Sequence, residues 1–275
     1  MIKLKTFGSF TVGNDLTSVQ EGAWRSEKLE KLFVYLAMNR NRGVCIEDIS
    51  EAIWQVEEET DNPVGALKNL AYRLRKALRD ASFDEECIVS VRGGLYKWND
   101  DVEVTIDVEE FDRYINEAEM AFCRSKETAI ESYEKAIALY HGDFLPLRTD
   151  THWFMTLNAF YHSRYVNTVK ALAKLYIDTG CYEKLEQLCT RAIVYERSDE
   201  QIYSYLIVAR MRTKKVQMAF DTYETAKAIM DKDLGVRKTV MLNKVYEELL
   251  SVTKGASSYN IDEVKDDISE ESMNG

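Results

Sequence analysis

The chain has 275 residues, with 36 Lys+Arg against 47 Asp+Glu, twelve Gly and only two Pro. That length implies two domains, and so few Pro and Gly argue against turn-rich all-β or collagen-like architectures. A net charge of −11 argues against a uniformly basic nucleic-acid coat, without bearing on a local basic patch.

The opening stretch, MIKLKTFGSF, alternates instead of forming a signal-peptide core, and no apolar run approaches the roughly 20 residues of a membrane span. Five scattered cysteines (Cys45, Cys87, Cys123, Cys181 and Cys189) fit reduced thiols. A cytoplasmic protein with no membrane partner is therefore expected. Residues 1–100 carry 14 basic and 16 acidic side chains, a net of −2, so most of the acidity lies later. The pattern also changes near residue 100, from mixed strands and short helices to helical period almost throughout. The expected division is a domain over 1–100, a helical domain over 101–254, and an acidic disordered tail over 255–275 with six acids and one Lys.

In chain order, Ile2, Leu4, Phe10 and Val12 alternate with polar neighbours around Gly8, predicting short strands. Leu29, Leu32, Phe33 and Leu36 predict a helix ending near Asn39. A second runs from about Ile46 to Trp54, with Ile46, Ile49 and Ile53 inward, and an acidic loop at Glu57–Glu59 follows. Asn62-Pro63 then supplies an N-cap and a proline at the first helical position. The helix that starts there, to about Arg79, places Leu67, Leu70, Ala71, Leu74 and Leu78 on one arc. Lys68, Asn69, Tyr72, Arg73, Arg75, Lys76 and Arg79 fall on the other, which carries five cations and no acid before Asp80. Such a ridge is either a solvated helix face or an anion-binding surface.

The next segment favours the second reading. Residues 87–92 and 95–98 are β-rich and Gly93-Gly94 permits a reversal, so a hairpin carrying Arg92 and Lys97 is predicted. Strands, three helices with the third basic, and a hairpin form the order of a winged helix-turn-helix.

The strings Arg73-Leu74-Arg75-Lys76-Ala77-Leu78 and Val91-Arg92-Gly93-Gly94-Leu95-Tyr96, with Ile53-Trp54, resemble the winged-helix effector domain of bacterial response regulators. The resemblance is closer still to the antibiotic-regulatory-protein class of transcriptional activators. It implies that Asn69, Tyr72 and Arg73 face the major groove, and that Arg75, Lys76, Ser90 and Arg92 hold the DNA backbone or minor groove. Chemically, Arg73 suits a bidentate contact to guanine and Asn69 one to adenine, whereas Lys68, Lys76 and Arg92 suit phosphates. Two positions depart from the class. Leu70 stands where relatives often carry Tyr or His, and Gly65 where some carry a cation.

Beyond residue 100, helices are predicted from Asp107 through Ala118, from Thr128 to Tyr140, and from about Trp153 to Ile177. Leu172, Gly180, Tyr182 and Ala192 fit a tetratricopeptide repeat, and one period of about 34 residues takes Leu172 to Leu206 and Tyr182 to Val216. Helices over 200–212, 216–230 and 238–250 follow. The strings Ile106-Asp-Val-Glu-Glu-Phe111 and Tyr140-His-Gly-Asp-Phe-Leu-Pro146, with Trp153, Gly180-x-Tyr182 and Leu234-Gly235, resemble the bacterial transcriptional activator domain. That resemblance implies self-association, here as a homodimer or larger on tandem sites, and contact with the transcription machinery.

The expected fold class is mainly α with a small β component, an N-terminal winged helix-turn-helix plus a C-terminal tetratricopeptide-like domain. The expected function is DNA-binding transcriptional activation, with double-stranded DNA as partner. The alternative is a protein-interaction scaffold whose winged helix no longer binds DNA. No catalytic, metal or cofactor site is expected. His141, His152 and His162 have no Cys or carboxylate at zinc-ligand spacing, and His141-Gly142-Asp143 reads as a helix end plus turn. Nothing in the sequence assigns a small-molecule effector.

Overall fold

A computed structural model describes residues 1–14, 17–55, 62–83, 87–91, 94–234 and 239–253, with backbone alone for 88–91, 233–234 and 252–253. The acidic loop at Glu57–Glu59, Arg92, Gly93, Gly235 and the acidic tail lie outside the described residues. The chain separates into two compact units, Met1–Tyr165 and Val166–Gly275.

The first unit opens on β1 (Ile2–Lys5), β2 (Thr11–Gly13) and β3 (Ser18–Gln20). β1 buries Ile2 and Leu4 and exposes Lys3 and Lys5, the period of two that its sequence predicts. Three helices follow, α1 (Glu27–Met38), α2 (Ile46–Ile53) and α3 (Pro63–Asp80), and then the hairpin β4 (Ile88–Val91) and β5 (Leu95–Trp98). Ile46 is only half-buried; Ile49, Ala52 and Ile53 carry the inward face of α2.

A strand outside the sequence expectation completes the sheet. β6 (Val104–Ile106) pairs parallel to β1, giving the order β3-β2-β1-β6. Directly behind it come α4 (Asp107–Ala121) and α5 (Lys126–Leu139), which pack together, then a 3-10 turn (Pro146–Arg148) and α6 (His152–Asp178).

Four polar contacts fasten α1 and β1 to these later elements. Asp107, the first residue of α4, accepts from the backbone N–H of Thr6 (2.8 Å), Phe7 (2.9 Å) and Val108 (2.9 Å) and from the Thr6 hydroxyl (2.6 Å). Burial pushes its carboxyl above the ordinary carboxylate range, and the hydrogen bonds from Phe7, Thr6 and Val108 work against that. Arg148, with 6% of its side chain exposed, sits 2.5 Å from Glu30 and 3.2 Å from Glu21. Lys31, equally hidden on α1, pairs with Asp150. Arg40 donates both guanidinium arms to Glu109, at 2.5 and 2.7 Å.

The turn after α5 lies along the segment that follows β1. Gly8 N donates to Asp143 O (2.9 Å) and Leu145 N to Thr6 O (2.9 Å). Gly8 has φ +82°, and a Cβ there would stand 2.6 Å from the His141 carbonyl oxygen, so both backbone angle and close approach require glycine. On the far side of this turn Asp143 Oδ1 lies 2.8 Å from His162 Nδ1 and accepts from the Tyr140 hydroxyl at 2.5 Å. His141-Gly142-Asp143 is thus a helix end and turn whose carboxylate is held by α6.

The contacts from His162 and Tyr140 hold the Asp143 carboxyl below its usual range, against the effect of burial. A depressed folded-state value gives stability that is present above the ordinary value of about 4 and lost as pH falls through the folded one. The melting-temperature gap between the native chain and Asp143→Asn should accordingly be widest at neutral pH and shrink below about pH 4. A gap of constant size down to pH 3 would show that the ionised carboxylate contributes nothing.

The second unit holds α7 (Tyr182–Tyr195), α8 (Glu200–Arg212), α9 (Val216–Leu234) and α10 (Val240–Thr253). Tyr182 and Val216, one repeat apart, are the first residues of α7 and α9, so the expected tetratricopeptide period holds helix start against helix start. Ala219 and Ala226 on α9 are fully buried among Tyr203, Ile207, Leu242, Val245 and Leu249. Small residues there let neighbouring helices approach closely. Asp199 caps α8 through Ile202 N (3.0 Å), and Glu200 accepts from Leu242 N (3.0 Å) at the start of α10.

Candidate nucleic-acid interface

α3 starts where Asn62-Pro63 predicts. The Asn62 side chain accepts from Gly65 N at 2.9 Å, and Pro63 occupies the first turn, where its missing N–H costs nothing. A Cβ on residue 65 would stand 2.6 Å from Asn62 Nδ2. Gly65 therefore makes room for the cap, which accounts for the absence of a cation there.

Leu67, Leu70, Ala71, Leu74 and Leu78 are buried, Leu70 with 5% exposure. Each buried leucine contributes about 1.5–3 kcal/mol relative to exposure, so the helix is pinned by one face and the other is left to solvent. Leu70 belongs wholly to the pinned face, so a base-contacting residue is absent there because the core occupies the position.

Lys68, Asn69, Tyr72, Arg73, Lys76 and Arg79 are exposed, Tyr72 by 68%. At 100° per residue the arc from Arg75 through Lys68, Tyr72, Lys76 and Asn69 to Arg73 spans about 160°. Arg75 forms its margin beside buried Ala71 and is half-buried. Lys68, Arg73 and Lys76 form no ion pair among the described residues. Several other cations of the first unit are engaged: Lys31 with Asp150, Arg40 with Glu109, Lys97 with Asp100, and Arg148 with three glutamates. Among the described residues, three cations without an ion pair thus stand together on the α3 face.

The hairpin is as predicted in outline. Ile88 pairs with Trp98, Val89 with Lys97, Ser90 with Tyr96 and Val91 with Leu95. Gly94, just before β5, takes φ +80°, a left-handed conformation that glycine adopts without strain. Tyr96 also exchanges both backbone hydrogen bonds with Val44 (2.8 and 2.9 Å), fixing the hairpin to the lead-in of α2. Of the expected site residues, the structure places Lys68, Asn69, Tyr72, Arg73 and Lys76 on one exposed surface, and Arg75 at its edge. It gives the backbone of Ser90, and Arg92 lies outside the described residues.

Sequence reasoning did not find the residues that hold this domain in place: Glu30, Lys31, Arg148, Asp150 and the acceptor role of Asp107. Asp107 stands inside a string read only for its family resemblance. Among the described residues no three His, Cys, Asp or Glu side chains group as a metal site would need, and no helix is long and apolar enough to cross a membrane. A groove of about 510 Å³ in the second unit is lined by Tyr223, Glu224, Lys227, Asp231, Thr239 and Asn243.

Residues 21–98 match the family described as transcriptional regulatory protein, C terminal, and residues 106–250 match the bacterial transcriptional activator domain. The second match covers more than half of the chain. The chain belongs to the bacterial transcriptional activator domain family. It is a transcriptional regulator of the antibiotic-regulatory-protein type, a winged-helix DNA-binding domain followed by a tetratricopeptide-like activator domain. Both matched families are of transcriptional regulators, not enzymes. The activator is 23% identical over 238 residues to the transcriptional regulator RedD of Streptomyces coelicolor, spanning 86% of this chain and 67% of that one. Its fold is similar to that of Mycobacterium tuberculosis EmbR, solved in complex with a low-affinity phosphopeptide. The TM-score is 0.69 at 19% identity, over 98% of this chain and 69% of that one.

Proposed function

We propose that this activator reads the major groove of duplex DNA with the exposed face of α3 and holds a neighbouring groove or phosphates with the β4–β5 wing. The observation that carries this reading is the α3 face itself. Three cations without ion-pair partners among the described residues, with Asn69 and Tyr72 between them, stand opposite a fully buried apolar stripe. Arg73 and Asn69 are the groups able to make bidentate contacts to base edges. Lys68 and Lys76, and from the sequence Arg75, Ser90 and Arg92, set register on phosphates or the minor groove. Tandem sites occupied by a homodimer or larger, a helical second unit that contacts the transcription machinery, and a cytoplasmic location complete the proposal.

Selection from random oligonucleotides, followed by binding across a salt series, tests it. Arg73→Ala should lose about 1–3 kcal/mol of discrimination at one base pair. Lys76→Ala should weaken all sequences alike and lower the salt slope by about one unit. Recovery of no preferred sequence, with no duplex bound at low salt, would leave the protein-interaction scaffold as the reading.

A further inference from the structure

One edge of the sheet in the first unit is open, and a groove runs beside it. In the order β3-β2-β1-β6, β6 has a neighbour on one side only. Ile2 N donates to Glu103 O at 2.8 Å, which sets the phase of the parallel ladder with β1. The Glu103 carbonyl and both backbone groups of Thr105 therefore face β1. Val104 turns its N–H and C=O to the opposite side, and so does the Ile106 N–H. None of these three outward groups has a hydrogen-bond partner among the described residues. Alongside lies a groove of about 380 Å³, lined by Val102–Thr105 of this edge and by Arg40, Asn41, Asn99 and Asp100. Among the described residues its walls include neither Lys3 nor Lys5, so the space flanks the edge and does not cover the solvent face of the sheet.

We propose that this edge takes up an extended segment of a partner protein as a fifth strand, with an apolar side chain beside Val104 and cationic side chains on either side of it. The proposal stands apart from the reading of α3 as the DNA-contacting face.

The register sets the chemistry of the occupant. Val104 pairs with Ile2 and Ile106 with Leu4, so the half-buried Val104 side chain lies on the core face, where an apolar neighbour completes its cover. Thr105 pairs with Lys3, and Glu103 shares its face, toward solvent. Asp101 and Glu103 are exposed and form no ion pair among the described residues. The nearby cations Arg40 and Lys97 are already held by Glu109 and Asp100. The unanswered charge beside the edge is thus negative. A second copy of β6 would add further carboxylates to an edge that is already acidic, so the occupant is a different chain.

In such an added strand, backbone hydrogen bonds supply affinity and alternating side chains supply specificity. The rise, strand spacing and sheet thickness allot each added residue about 160 Å³, so the groove seats about two to three residues. That matches the three residues of β6. So short an edge is poor at recruiting chains unaided, and the two carboxylates make it selective for a cationic one.

The test uses the full chain and a labelled octapeptide of alternating Lys and Val, acetylated and amidated, at about 0.15 M salt. Saturable one-to-one binding is the expected result. The Val104 amide should gain protection from hydrogen exchange, while the Thr105 amide, already bonded to β1, stays as it was. The same peptide methylated at every backbone nitrogen keeps its charge and side chains but has no donors, and should bind about tenfold more weakly. Equal binding of the two peptides, no new protection at Val104, or no saturation below about 1 mM would overturn the proposal.

Two variants separate backbone from charge. Val104→Pro removes the outward N–H and leaves the groups facing β1, a change that edge strands accept; it should weaken the peptide about tenfold. Glu103→Gln leaves the backbone untouched and should weaken it a few-fold, with the difference closing as salt rises. If Val104→Pro melts early, Glu103→Gln and the methylated peptide decide. Protection of Val104 that grows with protein concentration in the absence of peptide would make the occupant a second copy and overturn the assignment of a cationic partner.

Discussion

Replacing Arg148 with alanine should destabilise the first unit by about 3–5 kcal/mol, the cost of stranding a buried charge by removing its partner. Arg148 is buried, and Glu30 beside it is only 2% exposed. Glu30 also accepts from Gly22 N at 2.8 Å, so it cannot turn away to water without giving up a backbone partner. Glu21 and Glu27, at 3.2 and 3.6 Å, would add their repulsion once the cation is gone. Changing both partners together, as Arg148→Met with Glu30→Met, removes the stranded charge and should recover most of the loss. Thermal and urea unfolding of the two variants beside the native chain measures the effect. An Arg148→Ala protein melting within a degree or two of the native one would show that water reaches Glu30 and that the pair is ornamental to stability.

Asp107→Ala should cost about 3 kcal/mol or more, because it leaves the Thr6, Phe7 and Val108 amides without their acceptor, each at about 1–3 kcal/mol less any compensation by water. Asp107→Asn is the sharper substitution. The amide keeps one acceptor oxygen and turns a donor toward groups that are themselves mostly donors, so isosteric size should not rescue it. Denaturant titration of both variants, followed by hydrogen exchange at Thr6 and Phe7, checks the assignment. Unchanged protection of those two amides would mean that Asp107 is not what holds them.

These effects fall on groups that the sequence leaves obscure, and the reason is range. The Asn62-Pro63 start of α3, its apolar arc and the hairpin around Gly94 are decided by neighbours within a few turns of chain, so periodicity and turn chemistry expose them. Glu30 and Arg148 lie 118 residues apart and Lys31 and Asp150 lie 119 apart. Nothing local distinguishes these acids and bases from solvated ones. β6 is three residues long, too short for a period of two to stand out, and it runs directly into the first turn of α4. The arginine-rich face of α3 was legible as a surface because the leucines opposite it were legible as a core. Leu70 and Gly65, departures when compared with a family pattern, become ordinary once the core and the cap are seen to need them.

The parallel pairing of β1 with β6, and the Asp143–Leu145 segment lying along Thr6–Gly8, have a bearing on how the protein is made. β2 can pair with β1 at once, but the β6 side of that strand and the segment after it gain their partners only when about 100–140 further residues have been translated, about 5–28 s at ordinary elongation rates. Until then part of the apolar surface of Ile2, Leu4 and Phe7 lacks its cover, and chaperone binding during synthesis should concentrate on nascent chains that have not yet reached Leu145.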